Sequence, residues 1–187
     1  DFYRQEGEPE SQVHAAVYRF GEPLRLSERV PVLENLGFTV IDERSFMLAP
    51  RFDGGARQVA LHDMLLETAD KTAIDLKAHD ARLEETYLAV DRAAADNDQF
   101  NQLVLRAGAT WRDAQLIRAY AAYLRQLNVP FGMRYLAETM VRHAGITRDL
   151  VELFLVRFDP KRGEATAPDR LAEAEKVRAR ILSALAN

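Results

Sequence analysis

Residues 13–41 decide the fold: Val13-His14-Ala15-Ala16-Val17-Tyr18-Arg19-Phe20-Gly21-Glu22-Pro23-Leu24-Arg25-Leu26-Ser27-Glu28-Arg29-Val30-Pro31-Val32-Leu33-Glu34-Asn35-Leu36-Gly37-Phe38-Thr39-Val40-Ile41. Val13 to Phe20 is rich in Val, Ala, Tyr and Phe and is closed by Gly21-Glu22-Pro23, so it reads as a strand ending in a turn. Ser27 is placed to cap a short helix in which Leu26, Val30 and Leu33 share one face. Pro31 falls within the first turn or so, where it removes at most one hydrogen bond. Gly37 supplies the helix stop, and β character resumes at Phe38.

The same reading extends outward. Phe38 to Leu48 is a second strand with a polar step at Asp42-Glu43-Arg44. Asp53-Gly54-Gly55 is a hairpin-type turn, and Arg57 to Glu67 is the return strand carrying Val59, Leu61 and Leu65. A helix from Asp80 to Ala95 places Leu83, Tyr87, Val90 and Ala94 at spacings of three and four. From Asp98 onward the pattern is purely helical. A helix over Gln99–Ala107 stops at Gly108, and Thr110 caps the next, with Asp113 as its capping-box partner. That helix carries the stripe Trp111, Ala114, Ile117, Ala121 and Leu124. Asn128-Val129-Pro130 breaks the chain. A third helix, marked by Met133, Leu136, Met140 and Val141, stops near Gly145, and Thr147 caps a fourth carrying Leu150, Val151, Phe154, Leu155 and Phe158. A polar linker, Lys161 to Pro168, precedes an amphipathic helix from Asp169 to Ala186. The change of period near residue 97 divides the chain into an α/β domain over 1–97 and a helical domain over 98–187.

Composition bounds the function. The 187 residues are 48% apolar and 29% charged, the ordinary balance of a globular protein. A net charge of −4 and a pI near 5.6 give no broad electrostatic footprint for nucleic acid. Without cysteine there is no disulfide, thiolate metal site or cysteine nucleophile. No apolar run approaches the ~20 residues that span a bilayer. The polar, acidic opening Asp1 to Glu10 is unlike a signal peptide. The expectation is a cytoplasmic protein cut from something longer.

Candidate chemistry is sparse. Dinucleotide binding needs a Gly-rich turn between a strand and a helix. The only adjacent glycines, Gly54-Gly55, sit in the expected hairpin, so no cofactor site is expected in this segment. His14, His62, His79 and His143 never stand three or four residues apart, which removes a helical zinc pair. His62 and Asp63 are strand neighbours and point to opposite faces. His143 closes a helix, where the dipole favours a partly charged imidazole. Glu84-Glu85 and Asp42-Glu43 read as solvated surface, because adjacent side chains diverge. Arg112, Arg118 and Arg125 could mark a DNA-recognition helix, but they share a face only loosely and Asp113 opposes phosphate contacts. Tyr120, Tyr123 and Tyr135 read as core rather than as a ligand groove. The loop Gly21-Glu22-Pro23 with Ser27 is the candidate site. In a βαββαβ-like unit the first strand–helix loop commonly faces a small ligand or a second copy, and a helix N-terminus offers amides to a carboxylate. A plain turn and cap is the simpler reading of the same residues.

The run Leu26-Ser27-Glu28-Arg29-Val30-Pro31-Val32-Leu33-Glu34-Asn35-Leu36-Gly37, continuing to Arg44, resembles a signature of the large-subunit class of NAD-specific glutamate dehydrogenases. Val17-Tyr18-Arg19, His62-Asp63, Leu83 to Val90, Phe100 to Gly108, Trp111-Arg112, Leu116 to Tyr120, Tyr123 to Gln126 and Arg157 to Pro160 resemble further segments of that family in the same order. The resemblance covers about residues 13 to 187. Met64 stands where that family usually has Phe. It implies an α+β architecture: an ACT-like, ferredoxin-like βαββα sheet domain followed by an all-α helical bundle. It also implies a regulatory or oligomerisation role in a cytoplasmic, homo-oligomeric parent enzyme that binds NAD elsewhere. The family's catalytic lysine, substrate-binding glycines and NAD fold lie further along such a chain, so no catalytic residue carries over. Expected partners are the catalytic region of the same chain, further copies and a small amino-acid effector, with no nucleic acid and no membrane. Phe46, Met47 and Phe131 are candidates for such contacts. An ACT fold closes with a fourth strand, and after Asp98 there are only helices. That strand is either absent or supplied by Asp1–Arg4.

Overall fold

The computed structural model describes residues 1–52, 55–160 and 167–186. Asp53-Gly54 of the expected hairpin turn and 161–166 of the expected linker lie outside them. The strands are β1 (Phe2–Tyr3), β2 (Gln12–Phe20), β3 (Phe38–Leu48), the two-residue β4 (Arg51–Phe52) and β5 (Gly55–Ala56), and β6 (Val59–Thr68). The helices are α1 (Leu26–Asn35), α2 (Leu76–Asp91), α3 (Leu103–Ala107), α4 (Trp111–Gln126), α5 (Met133–Arg142), α6 (Ala144–Phe158) and α7 (Ala167–Leu185), with a 3-10 turn over Gln99–Gln102.

The main sheet has the order β1-β2-β6-β3, and every neighbouring pair is antiparallel. This is the ferredoxin-like arrangement with one substitution. The place beside the first long strand, where a strand after α2 would close the sheet, is taken by β1 from the N-terminus. Phe2 pairs with Ala15 and Tyr3 with His14. Helices α1 and α2 cover one face. Alternation along the strands sends Val13 and Ala15 of β2, Met64 and Leu66 of β6, and Phe38 of β3 toward them, where they meet Leu33, Leu36, Leu83 and Tyr87. A second core, built on Phe100, Leu103, Ile117, Ala121, Leu136 and Val151, holds the bundle. The short helix α3 serves both: Leu103 lies in the bundle core, and its neighbour Val104 in the sheet core.

Gly37 follows α1 at φ +102, and its N–H donates to Glu34 O at 3.0 Å. A side chain there would meet Leu105 at 3.5 Å, an ordinary contact, so it is the left-handed conformation that favours glycine.

Several expected ends move, each for a local reason. Ser27 is not the cap of α1. Arg25 occupies that position in extended backbone without a side-chain bond, and Ser27 is the exposed second residue of the helix. Pro31 consequently sits in the second turn, where it removes the bond that would close on the Ser27 carbonyl. Helix α2 begins a turn before Asp80, because Asp75 accepts from Ala78 N and caps it. It ends at Asp91 instead of Ala95: Ala93 turns to φ 54, and Ala94 and Ala95 both donate to Ala89 O. Thr147 does not cap α6. It lies inside that helix, 1% exposed, and donates to Met140 O at 2.7 Å, satisfying the end of α5. The Thr110–Asp113 capping box is present as read.

Candidate functional site

Gly21, Glu22, Pro23 and Ser27 all lie exposed on the loop and first turn between β2 and α1. Gly21 has φ +85 and open space around it, so conformation alone selects glycine. Its N–H donates to Gln58 O at 2.9 Å, which ties the loop to the start of β6.

What holds this loop is a part-buried circuit around Leu24. The Leu24 N–H donates to His62 Nε2 at 3.2 Å. Nε2 is therefore the accepting nitrogen, and the proton sits on Nδ1. Nδ1–H donates to Ser45 Oγ at 2.7 Å, and the Ser45 hydroxyl donates to Glu43 Oε1 at 2.8 Å. Arg29 closes the circuit, donating through one terminal nitrogen to Glu43 and through the other to the Leu24 carbonyl. Both polar groups of Leu24 are thus held. His62 is 1% exposed and Arg29 4%. Burial, and then the charge of Arg29, lower the His62 pKa, while Glu43 opposes the shift. The imidazole is neutral, as its hydrogen bonds require.

A β-bulge assembles these groups. The register of β3 on β6 shifts between Val40 and Asp42, leaving Ile41 unpaired. Beyond it, Glu43, Ser45 and Met47 take the face of His62 and Met64 that simple alternation would have given to Asp42 and Arg44, with Ser45 and Met47 remaining exposed there. Ser45 then stands opposite His62 in register. The expectation that Asp42-Glu43 is solvated surface is corrected for Glu43, whose side chain is only 15% exposed.

Serine, histidine and glutamate in contact invite a nucleophilic reading, but the geometry argues against one. In a hydrolytic triad the imidazole lies between hydroxyl and carboxylate and accepts the hydroxyl proton. Here the hydroxyl lies between imidazole and carboxylate, the imidazole donates to it, and the other ring nitrogen is occupied by a backbone amide. The group positions a loop. Arg29 Nε is buried without a partner beside it. Next to the circuit opens a polar cleft of about 320 Å³ lined by Arg19, Glu28, Arg29, Tyr87, Asp91 and Asn97.

A second cluster sits on the open face of the sheet, where Asp63 points away from His62 as strand alternation requires. Tyr3 Oη donates to Asp63 at 2.9 Å, and His14 bridges Asp63 at 3.3 Å and Glu8 at 2.8 Å. The Tyr3 and His14 rings stack at 4.9 Å. Burial, helped by Asp63, raises the Tyr3 pKa, and the His14 hydrogen bond lowers that of Glu8. These contacts fasten β1 to the sheet. Among the described residues no group of His, Cys, Asp and Glu has the arrangement of a metal site, and no helix is long and apolar enough to cross a membrane.

In the bundle, Arg118 is buried. It makes two 2.7 Å bonds to the Asp98 carboxylate and one of 3.0 Å to Asn101, and also donates to Gln115. Arg112 lies over the Trp111 ring at 4.1 Å. Of the three arginines that suggested a recognition helix, one is thus spent inside the protein. The tyrosines read as core are exposed instead: Tyr120, Tyr123 and Tyr135 each show about half their surface, because α4 and α5 are covered on one side only.

A four-stranded antiparallel sheet with two helices on one face and a clamped β2–α1 loop defines an ACT-like α+β domain, here continued into a helical bundle. Comparison with known proteins narrows this. The model of the glutamate dehydrogenase ACT3 domain matches residues 1–79, and that of glutamate dehydrogenase helical motif 3 matches residues 95–160. The NAD-specific glutamate dehydrogenase of Pseudomonas aeruginosa is 37% identical over 184 residues, covering 98% of this chain and 11% of that protein. Its counterpart in Halomonas elongata is 34% identical over 183 residues, with the same coverage. That of Mycobacterium tuberculosis is 34% identical over 165 residues, 86% of this chain and 10% of the relative. The chain belongs to the NAD-specific glutamate dehydrogenase family, in which it represents the ACT3 domain and helical motif 3. It spans about a tenth of the length of these relatives.

Proposed function

We propose that residues 1–187 form a non-catalytic regulatory and assembly segment of a dehydrogenase whose whole polypeptide converts L-glutamate, NAD and water to 2-oxoglutarate, ammonia and NADH. The observation that carries this reading is the Leu24 circuit. The one serine–histidine–carboxylate contact in the described structure is consumed in holding a loop. NAD binds elsewhere in such a parent. The partners are the catalytic region of the same polypeptide and further copies in a cytoplasmic homo-oligomer, with 1–97 and 98–187 as the two structural units. Phe46, Met47 and Phe131, all exposed, suit such contacts. Deleting residues 1–187 from the full enzyme tests this. Loss of assembly or of kinetic regulation is expected, and unchanged oligomeric state and kinetics would end the proposal.

The polar cleft favours a second reading, an amino-acid sensor beside Gly21 to Ser27. Its lining includes Arg19 and Arg29 together with Glu28 and Asp91, opposite charges that suit the carboxylate and ammonium of an α-amino acid. Titration calorimetry with aspartate, glutamate and arginine decides. Flat traces for all three remove the sensor.

A further inference from the structure

Helices α4, α5 and α6 leave an open apolar groove of about 350 Å³ between them. Leu116, Tyr120 and Leu124 form one wall, Phe154 and Phe158 the other, and Met140 lies in its lining. The rings run in a chain, Tyr120 edge-on to Phe154 at 6.1 Å and Phe154 against Phe158 at 5.0 Å. Tyr120 is 48% exposed, Leu124 37% and Phe158 58%, so the groove is open to an incoming group. The charged lining residue is Arg157, whose guanidinium lies over the Phe158 ring at 5.5 Å.

A metabolite site would need several converging polar groups, and this groove offers a tyrosine hydroxyl and one guanidinium. Its walls are helices whose backbone groups are already paired, so an extended peptide would gain no main-chain bonds here. A helix brings its own hydrogen bonds and loses none, which makes helix-in-groove docking the mode these walls suit. The exposed parts of Tyr120, Leu124 and Phe158 amount to roughly 300 Å², taking ~200 Å² per full side chain. That is well short of the ~800 Å² per partner in a stable free complex. A tethered segment needs less, because its effective concentration is of millimolar order. About nine-tenths of the relatives' length lies outside the matched region. We infer that the groove seats one amphipathic helix of the same polypeptide, from outside these 187 residues, with apolar side chains along one face and a carboxylate directed at Arg157. The inference rests on the reading of this segment as a docking part of a longer dehydrogenase.

The test places the photocrosslinker p-benzoylphenylalanine at Tyr120 in the full-length enzyme, assembled from heavy- and light-isotope copies, with the exposed Lys77 as control position. The expected product joins residue 120 to one helical segment of the same copy, heavy to heavy and light to light. In Arg157→Glu enzyme its yield should fall at least ten-fold. Heavy–light products would make the occupant a second copy, and a yield no higher than at Lys77 would leave the groove empty; either result overturns the inference. If the crosslink is absent while deletion of residues 1–187 still disrupts assembly, the groove assignment alone fails. If deletion changes nothing, the wider reading fails with it.

Discussion

Ser45 Oγ and His62 Nδ1 stand 2.7 Å apart on facing positions of two antiparallel strands, and the imidazole is the donor. The direction of that bond is fixed from the far side of the ring, where Leu24 N–H occupies Nε2. Removing the imidazole and removing the hydroxyl should therefore have unequal effects. His62→Ala orphans a backbone amide and opens a cavity in a closed site, at a cost of about 2–4 kcal/mol. Ser45→Ala should cost only about 1 kcal/mol, because Nδ1–H can turn to Glu43, 3.5 Å away. Urea denaturation of the two variants checks the order. Equal losses would mean that the circuit does not carry the loop.

The same ring sets a pH dependence. His62 is a base whose pKa is lowered in the folded state, by burial first and by Arg29 second. Between that lowered value and the ordinary value of about 6.5, the unfolded chain binds a proton that the folded chain does not. Stability is complete above about 6.5 and declines as pH falls through that value toward the depressed one. Thermal unfolding followed from pH 7.5 to 5 should show this decline in the wild type and a flatter profile in His62→Gln.

How much of this was readable in advance depended on whether a signal was local. Strand β2 and the Gly37 stop were legible from composition, a closing turn and one glycine, and helix α1 was legible too, although its buried face is Arg29, Val32 and Leu33 while Leu26 of the expected stripe is exposed. The capping box at Thr110 was legible for the same reason. Thr147 misled because a hydroxyl both donates and accepts: its spacing suited an acceptor at the start of α6, and the fold uses it as a donor to the end of α5. The site was mostly illegible. Gly21 to Ser27 mark its surface loop, but the groups that hold the loop come from α1, β3 and β6. One unpaired residue, Ile41, decides that Glu43 and Ser45 share the face of His62, and no composition signal marks a bulge.

Arg118 provides a third prediction. Its two bonds to Asp98 tie the middle of α4 to the residue that also caps the 3-10 turn through Phe100 N. Arg118→Ala removes a buried guanidinium but leaves Asp98 partly open to water. The loss should be about 3 kcal/mol, the low end for breaking a buried pair. Arg125→Ala on the exposed side of the same helix should stay within about 0.5 kcal/mol. Denaturant midpoints of the two variants separate a structural arginine from a solvated one.

Gly21 and Gly37 both test backbone conformation, one in open space and one against a neighbour at ordinary contact distance. Both have positive φ, but a side chain at Gly21 meets open space, whereas one at Gly37 meets Leu105. Gly21→Ala should cost only the left-handed penalty of about 1 kcal/mol. Gly37→Ala carries a similar penalty of about 1 kcal/mol, because its methyl group would make only ordinary contact with Leu105. Calorimetric unfolding should show similar drops at the two positions, and a clearly larger drop at Gly37 would mean that α3 cannot accept a methyl group there.

Asp70 and Arg106 give the last prediction, since they join the β6–α2 connection to α3, the helix that serves both cores. Arg106 Nη1 lies 2.6 Å from the Asp70 carboxylate, and Thr72 donates to the same group at 2.7 Å. The Arg106 bond is the largest influence and, with the bonds from Thr72 adding to it, outweighs the opposing effect of burial and holds the Asp70 pKa well below the usual carboxylate range. A carboxyl lowered on folding stabilises the protein above its unfolded value near 3.9 and loses that contribution as pH falls. Asp70 is 45% exposed, so water screens the pair and the contribution is held to about 0.5–1 kcal/mol. Asp70→Asn should therefore lower stability by that amount at pH 7, and by progressively less as pH falls below about 4 toward the depressed folded value. High salt should narrow the difference between wild type and variant at neutral pH. A variant as stable as wild type at pH 7 and low salt would show that the junction between sheet and bundle is held by Val104 and its apolar neighbours alone.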